Sequence, residues 1–255
     1  MSQALFTVVV PTHNRPLLLQ RAITSLANQT FQDFFLVIVD DAGSYLPPYE
    51  ALKSLQNRYA YVIYPSLKGP SQSRDLGVQM AESDFVLFLD DDDTYQPNHL
   101  EMIAKKIDRS SQKIHFTNFT IINEERNTST TPTTISTQSY SIADVTRDDI
   151  YVLNRIPNCC LVFPSSVVKS VEHDSTLKVY EDWDYLLRCL KGHELAHLDI
   201  ASVNIHKCAA VNDSNLRRGN RGSHLAREAT EILHQRYKSP NSNIESARKR
   251  LFEMI

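Results

Sequence analysis

The sequence contains little glycine, with 6 such residues among 255. Loops that wrap phosphates with backbone amides need glycines at fixed spacing, as in the G-x-x-x-x-G-K-[ST] and G-x-G-x-x-G patterns. Neither pattern occurs in this chain. The sequence therefore excludes a P-loop nucleoside triphosphatase and a dehydrogenase with a glycine-rich dinucleotide fingerprint.

Cysteine is also scarce, and the four cysteines lack the spacing of a metal or redox site. Cys159 and Cys160 are adjacent, Cys189 and Cys208 stand apart, and no C-x-x-C pair is present. This arrangement argues against a disulfide framework and against a cysteine-rich zinc site. We expect buried, reduced thiols and a reducing compartment, which indicates a cytoplasmic protein.

Long apolar runs and a strong net charge are both missing. No apolar stretch approaches the roughly 20 residues of a membrane-spanning helix, and Met1–Phe6 lacks the basic and apolar regions of a signal peptide. The formal net charge of -3 gives no general attraction to nucleic acid, so no nucleic-acid partner is expected. The basic residues of His224–Arg250 fit either peripheral contact at the inner membrane face or an ordinary exposed helix.

The first hundred residues alternate strand-like and helix-like segments. Short apolar runs predict buried strands, and apolar residues three or four apart predict helices. The predicted strands are Leu5–Val10, Phe34–Val39, Ala60–Tyr64 and Phe85–Leu89, and the predicted helices are Arg15–Gln29, Tyr49–Tyr59, Ser71–Ala81 and Pro97–Ile107. This alternation predicts an α/β fold with a mostly parallel central sheet flanked by helices. Ligands of such sheets bind beyond the carboxyl ends of the strands.

The second half of the chain is less regular and predicts a smaller C-terminal region. Asn127–Ser139 consists almost entirely of Thr, Ser, Pro and Gln and is predicted to be a loop. The other predicted segments are strands at Lys113–Ile122, Cys159–Phe163 and Leu195–Ile205, and helices at Glu181–Leu190, His224–Tyr237 and Ile244–Met254.

Four consecutive carboxylates, Asp90–Asp93, directly follow the fourth predicted strand. Their mutual repulsion is costly unless a cation binds, and oxygen ligands of this kind suit Mg²⁺ or Mn²⁺ shared with substrate phosphates. The alternative is a solvated acidic loop that caps the next helix. The position after a buried strand favours the metal site. His206 is a candidate further ligand, although a lone histidine is more often structural.

Polar clusters also end the first two predicted strands. In Pro11–Arg15, His13 has the ring needed to stack on a nucleobase, while the alternative is helix capping by Asn14 or Thr12. Asp41 can accept hydrogen bonds from a base or a ribose, or it can simply belong to a turn.

Three further charged segments have two interpretations each. Arg74 offers a guanidinium for a nucleotide or lies on a solvent-facing helix. Glu181–Asp184 supplies a general base or ordinary acidic residues of a first helical turn. Arg217–Arg221 is a basic loop that closes over a diphosphate or an exposed charged turn.

Taken in order, these segments resemble the inverting glycosyltransferases of family 2, which have the GT-A fold. The matching text is TVVVPTHNR, SLANQTFQDFFLVIVDDAGS, KGPSQSRDLGVQMAESDFVLFLDDDD, TYQPNHLE and YEDWDYLLR. It is similar to the family's Pro-x-x-Asn segment, its Val-Asp-Asp-Gly-Ser and Ala-Arg-Asn-x-Gly stretches, its Asp-x-Asp-Asp run and its Glu-Asp segment. Ala42 interrupts the second pattern, and Ser73 and Asp75 depart from the third. The resemblance is specific from Leu5 to about Glu101.

The resemblance implies transfer of a sugar from a nucleotide diphosphate sugar to an acceptor hydroxyl with inversion. Asp182 would be the general base, and Asp92 would hold Mn²⁺ or Mg²⁺ between the donor phosphates. His13 would stack on the base, Asp41 would bond to it and Asp91 would meet the ribose. The whole implied nucleotide-binding set is Pro11, Thr12, His13, Asn14, Asp41, Arg74 and Asp91.

The resemblance also implies the partners and the organisation of the chain. The donor would be a UDP-sugar, with a dTDP-sugar as the alternative, and the acceptor a glycan or lipid-linked glycan of surface polysaccharide biosynthesis. Residues 1–110 would bind the nucleotide-sugar, 111–215 would form the acceptor side of the same domain, and 216–255 would form the basic loop and terminal helices.

Two other functions make different demands on the sequence. A nucleotidyltransferase needs a glycine-rich basic loop after the first strand, where this chain has Pro-Thr-His-Asn-Arg. A catalytically degenerate GT-A binding module would lack a metal or base carboxylate, whereas Asp92 and Asp182 are both present. These comparisons favour an active glycosyltransferase.

Overall fold

The computed structural model describes residues 3–126, 132–208 and 223–254. Its strands are β1 (Phe6–Thr12), β2 (Phe34–Asp40), β3 (Tyr59–Ile63), β4 (Phe85–Phe88), β5 (Thr94–Tyr95), β6 (Ile114–Glu125), β7 (Thr133–Tyr140), β8 (Leu161–Pro164) and β9 (Leu195–Cys208). Its helices are α1 (Pro16–Ala27), α2 (Tyr49–Lys53), α3 (Pro70–Met80), α4 (His99–Ala104), α5 (Arg147–Ile150), α6 (Ser165–Val168), α7 (Glu181–Cys189), α8 (Ser223–Arg236) and α9 (Ser242–Met254), with one 3₁₀ turn at Asn158–Cys160.

The strands join into one sheet with the order β3-β2-β1-β4-β8-β6-β9-β5, and β7 pairs with β6. The strands of the first half, β3, β2, β1 and β4, are parallel as predicted. The sheet as a whole is mixed, because β8 runs antiparallel to both of its neighbours and β5 and β7 are antiparallel additions. The strand order reverses at β1, which lies between β2 and β4, and this reversal places a crevice at the carboxyl ends of these strands.

The centre of the sheet forms the hydrophobic core. Every residue of β1 and of β4 is buried, as expected for strands that read as continuous apolar runs. Helix α3 approaches β1 closely at Gly77, where an added Cβ would lie 2.2 Å from Val9 Cγ1. The strand ends that carry the polar clusters are therefore anchored in a tightly packed layer.

The helix predicted at Tyr49–Tyr59 is shorter than expected. Helix α2 ends at Lys53, and Gln56 and Asn57 have φ angles of 48° and 68°. A right-handed helix does not admit the left-handed backbone conformation, so the chain turns here before β3.

The loop predicted at Asn127–Ser139 is wrong for its later part. Residues Thr133–Tyr140 form β7, which pairs antiparallel with β6, while residues 127–131 lie outside the described part of the chain. Threonine favours extended backbone because its β-branched side chain suits a pleated surface. Almost all side chains of β7 are exposed, so the strand has no apolar alternation for the sequence to show.

The C-terminal helices pack onto the sheet domain through a few buried contacts. Leu233 is fully buried, and the ring of His234 lies between those of Trp183 and Phe252, with centroid separations of 5.9 and 5.4 Å. Among the described residues, none of the helices combines the length and the apolar character needed to cross a bilayer.

We predict that Gly77→Ala destabilises the protein by about 1–3 kcal/mol, because the new methyl group must displace the buried Val9 side chain. Denaturant unfolding followed by circular dichroism measures the change. Gln79→Ala, on the exposed side of the same helix, serves as the control and should stay within about 0.5 kcal/mol of the parent. Equal stability of Gly77→Ala and the parent would contradict the close packing of α3 on β1.

Candidate active site

A small pocket lies at the carboxyl ends of β1, β2 and β4, where the strand order reverses. Its volume is about 160 Å³, and its lining residues are Pro11, Thr12, His13, Arg15, Asp41, Pro70, Ser73 and Asp91. Five of them, Pro11, Thr12, His13, Asp41 and Asp91, belong to the nucleotide-binding set predicted from the sequence. The fold therefore brings together residues that are up to 80 positions apart in the chain.

Hydrogen bonds between strand ends fix the shape of this small pocket. Thr12 Oγ1 donates to Asp91 Oδ2 at 2.8 Å, which ties β1 to the segment after β4. The Asp41 carboxylate accepts two backbone N–H bonds, each of 2.6 Å, from the loop before α3. The Nδ1 atom of His13 lies within hydrogen-bonding distance of the Asp41 carbonyl oxygen, which orients the ring.

Two predicted nucleotide-binding residues lie outside the small pocket. Asn14 has a left-handed backbone with φ of 53°, and its Oδ1 accepts the Ser44 N–H at 2.8 Å, so it joins the loops after β1 and β2. Neither Asn14 nor Thr12 caps α1, which begins without a side-chain cap, so the capping alternative is wrong. Arg74 lines a second, larger space.

The larger space is a cleft of about 700 Å³ that adjoins the small pocket at Pro70, which lines both. Asp92, from the turn after β4, and Asp182, from the first turn of α7, line this same cleft. A metal carboxylate and a general base must face a common space to act on one donor. The structure meets this requirement for the two residues that the sequence singled out.

Asp182 has an environment that suits a base near neutral pH. Burial, together with the charge of Glu181, raises its pKa to about 6, although Arg74 favours the ionised form. The residue before this pair, Tyr180, has a left-handed backbone with φ of 63° and lines the cleft. A non-glycine residue in this conformation is strained, and such strain occurs at functional sites.

Arg74 connects the two walls of the cleft. Its guanidinium contacts Glu181 Oε1 at 3.0 Å and Asp90 Oδ1 at 3.1 Å, and its side chain is only 3% exposed. Asp90 lies just after β4, and Glu181 is the first residue of α7. The structure thus places Arg74 between these two segments rather than at the small pocket.

Asp92 is flanked by two arginines whose position the sequence did not reveal. Arg15 Nη1 lies 3.0 Å from Asp91 Oδ1 and 3.4 Å from Asp92 Oδ2, and Arg126 Nη1 lies 3.5 Å from Asp92 Oδ2. These contacts show that the acidic run is not a solvated loop, and the residue preceding α4 is Asn98 rather than an aspartate.

A buried network behind Asp92 extends these contacts. Glu124 is 3% exposed and accepts hydrogen bonds from Arg21 and Arg126, at 2.8 and 2.6 Å, while Arg21 also donates to the Asp92 carbonyl at 2.6 Å. The sequence did not single out Arg21, Glu124 or Arg126, which lie on α1, on β6 and directly after β6. Glu124, Glu125 and Arg126 lie just after the predicted strand Lys113–Ile122. Two acidic residues and an arginine at such a position are also common on a protein surface.

His206 belongs to the same network and is not placed as a free metal ligand. Its Nδ1 lies 2.9 Å from Glu124 Oε2, its Nε2 lies 2.9 Å from Thr94 Oγ1, and its backbone N–H donates to Asp93 Oδ1 at 3.0 Å. Both ring nitrogens are therefore engaged within the protein. The basic segment Arg217–Arg221, a candidate for closing over a diphosphate, lies outside the described residues.

The cleft has the oxygen chemistry that suits a divalent cation. Its lining carboxylates are Asp90, Asp92, Asp93, Glu181 and Asp182, and its lining cations are Lys68, Arg74, Lys178 and Lys207. Carboxylate oxygens are the ligands that Mg²⁺ and Mn²⁺ prefer. Burial and the charge of Asp92 raise the pKa of Asp93 to about 8. No group of three potential metal ligands occurs among the described residues.

The family model described as glycosyl transferase family 2 matches residues 7–168, which include both strand-end clusters and the acidic run. The chain belongs to this family. It is therefore a transferase enzyme by descent, and the fold and family expected from the sequence are confirmed.

Relatives and solved structures agree with this assignment. The chain is 27% identical over 198 residues to the uncharacterized glycosyltransferase YwdF of Bacillus subtilis, a match covering 77% of this chain and 72% of that protein. It is 35% identical over 103 residues to the GalNAc(5)-diNAcBac-PP-undecaprenol beta-1,3-glucosyltransferase of Campylobacter jejuni, a match covering 39% of this chain and 33% of that enzyme. The crystal structure of S. aureus TarS 1-349 with UDP-GlcNAc superposes with a TM-score of 0.65 and 20% identity, covering 96% of this chain and 70% of the other, and shows the same fold.

We predict that Glu124→Gln lowers the free energy of unfolding at pH 7 by about 3 kcal/mol. Burial alone would raise the pKa of Glu124, but His206, Arg21 and Arg126 outweigh it and lower the pKa to about 2. The depressed folded-state pKa means that this stabilisation is fully present above the ordinary pKa of 4.5 and is lost as the pH falls toward 2.

Urea unfolding of parent and Glu124→Gln between pH 3 and 8 measures this difference. The difference in the free energy of unfolding between parent and variant should be constant from neutral pH down to about 5 and should decrease below pH 5. Glu194→Gln, which removes an exposed partner of Lys113, is the control and should change stability by less than about 1 kcal/mol. A small difference in the free energy of unfolding at pH 7 would show that the network behind Asp92 contributes little to stability.

Proposed function

We propose that this chain transfers a sugar from a nucleotide diphosphate sugar to an acceptor hydroxyl with inversion at the anomeric carbon. A UDP-sugar is favoured as donor, and a dTDP-sugar is the alternative. The observation that carries the proposal is that Asp92 and Asp182 line one cleft, which adjoins a pocket built from the predicted nucleotide-binding residues.

The donor assignment rests on the small pocket and its connection to the cleft. His13 and Asp41 offer a ring and a carboxylate for a nucleobase, and Asp91, which directly precedes Asp92 in the chain, lines the same pocket. A nucleotide in the small pocket would direct its diphosphate toward Asp92 and its sugar into the cleft. The TarS complex with UDP-GlcNAc supports a UDP-sugar, since that protein has the same fold.

Charge stabilisation would come from the residues around Asp92. A divalent ion held there by Asp92 would act as a Lewis acid on the leaving diphosphate. Arg15 lines the small pocket with its guanidinium beside Asp91 and Asp92, so it would meet the donor phosphates by charge-assisted hydrogen bonds. Preorganised charges of this kind stabilise the negative charge that develops on the leaving group.

Asp182 would remove the proton from the acceptor hydroxyl as that oxygen attacks the anomeric carbon. The hydroxyl attacks from the face opposite the diphosphate, and a single displacement with a single base inverts the configuration. Arg74 contacts both Asp90 and Glu181, so it would hold the start of α7 against the turn after β4 and position Asp182 as the base. Closing the site around the sugar would exclude competing water.

The acceptor and the biological setting follow the same reasoning. We propose a glycan or lipid-linked glycan acceptor in surface polysaccharide biosynthesis at the cytoplasmic face of the membrane. The Campylobacter relative, whose name specifies an undecaprenol-linked glycan, supports this class of acceptor.

We predict that UDP binds the purified protein more tightly than dTDP or GDP, and that binding weakens roughly tenfold or more in EDTA or in Asp92→Asn. Titration calorimetry with each diphosphate, in Mn²⁺ and in EDTA, measures these differences. Asp108→Asn, which neutralises an exposed carboxylate elsewhere, should bind like the parent. Tight UDP binding that is unchanged by EDTA would contradict the assignment of a metal site to Asp92. If no diphosphate binds, a catalytically degenerate binding module would be favoured.

We predict that Asp182→Asn lowers kcat by about 10²–10⁴-fold while leaving the dissociation constant of UDP nearly unchanged. The base must be ionised to act, so kcat/KM of the parent should rise with pH through about 6, the raised pKa of Asp182. Donor turnover and UDP calorimetry separate the two effects. Asp144→Asn, at a surface ion pair with Arg155, is the matched control. Full activity of Asp182→Asn would assign the base to another residue.

A further inference from the structure

A basic pocket lies at the ends of α7 and α8 and shares no lining residue with the donor pocket or the cleft. Its volume is about 400 Å³, and its lining residues are Tyr151, Arg188, Lys191, Arg236, Tyr237 and Lys238. Four of the six side chains are cationic and the other two are tyrosines. We call it the basic pocket.

Acidic side chains neutralise the two arginines of the basic pocket but not its lysines. Asp184 is fully buried and contacts Arg188 and Arg236 at 2.7 Å each, and Asp174 lies 2.8 Å from Arg236. Over residues 3–126, 132–208 and 223–254, neither Lys191 nor Lys238 forms an ion pair. The pocket therefore keeps an excess of two positive charges.

Arg248, a buried arginine that contacts two of the lining residues, adds to this positive charge. Arg248 is 8% exposed and donates to the carbonyl oxygens of Tyr151, His234 and Tyr237, at 2.7, 3.2 and 2.8 Å. Tyr151 and Tyr237 both line the basic pocket. In the part of the chain that the structure describes, no carboxylate lies within ion-pair distance of Arg248, although buried charges are usually paired.

The ends of the two helices do not account for this charge. A helix C-terminus carries roughly half a negative charge, so the ends of α7 and α8 together supply about one. The five cations, Arg188, Lys191, Arg236, Lys238 and Arg248, face two carboxylates and these helix ends. About two positive charges remain without a counter-charge, which is the charge of a phosphate group.

We propose that the basic pocket binds a phosphate group, independently of the donor's diphosphate. Lys191 and Lys238 would supply the point charges that attract the phosphate, while Asp184 and Asp174 hold Arg188 and Arg236 in the wall of the pocket. The volume exceeds that of a bare phosphate, so the pocket has room for a group attached to it. The phosphate can come from an anionic phospholipid headgroup or from a soluble phosphate compound.

Two probes distinguish these sources. Vesicles of phosphatidylcholine, with and without phosphatidylglycerol, test a lipid headgroup by co-sedimentation. Inorganic phosphate and pyrophosphate, titrated by calorimetry in EDTA, test the soluble group while the metal-dependent donor site is disabled. If the parent binds only the vesicles that contain phosphatidylglycerol, the ligand is a lipid headgroup. If the parent binds phosphate or pyrophosphate in solution, the ligand is a soluble phosphate compound.

The double variant Lys191→Gln/Lys238→Gln should lose roughly 30-fold in affinity for the probe that binds, and the remaining binding should fall further with salt. Lys53→Gln/Lys105→Gln removes two exposed charges on the other half of the protein and is the matched control. Thermal unfolding establishes that both variants are folded, and Asp92→Asn should bind the probe like the parent. Failure of both probes to bind the parent, or an equal loss in the control, would overturn the proposal.

Discussion

The cost of burying carboxylates after β4 constrains the elements that surround the carboxyl ends of β1 and β4. Asp91, Asp92 and Asp93 are each less than 10% exposed, and charges in such surroundings must be compensated. The compensation comes from Arg15 after β1, Arg21 on α1 and Arg126 after β6, with Glu124 in turn bridging two of these arginines. Elements distant in sequence are therefore held at one point by a charge balance, and a substrate with its cation would bind to a network already in place.

Arg74 connects this charged network to the other wall of the cleft. It contacts Asp90 after β4 and Glu181 beside Asp182, and it is almost fully buried. Orientation of reacting groups contributes several kcal/mol to catalysis only when their geometry is fixed. A single side chain thus relates the residue that would hold the metal to the residue that would remove the proton. The same arginine also favours ionisation of Asp182, so it affects both the position and the charge of this carboxylate.

The sequence predicts those features that leave a local pattern. The four parallel strands are apolar runs, and Asp41, Asp92 and Asp182 follow or begin regular elements, so a local pattern marks each of them as a candidate. Strand β7 could not be predicted, because its stability comes from pairing with β6 while its polar side chains show no alternation. Arg21, Glu124 and Arg126 were missed for a related reason, since a buried ion-pair network is formed by residues about 100 positions apart and each member looks like a surface residue on its own.

The pairing of β4 with β8 has a consequence for how the chain can be divided. These strands join the first 110 residues to the rest through backbone hydrogen bonds in the middle of one sheet. A fragment that ended near residue 110 would present Phe85–Phe88 as an open, wholly apolar edge, which is a template for intermolecular strand pairing. Residues 1–110 and the residues that follow them are therefore not separable modules, and exchanging the second part with that of a relative would require a graft that preserves this strand pair.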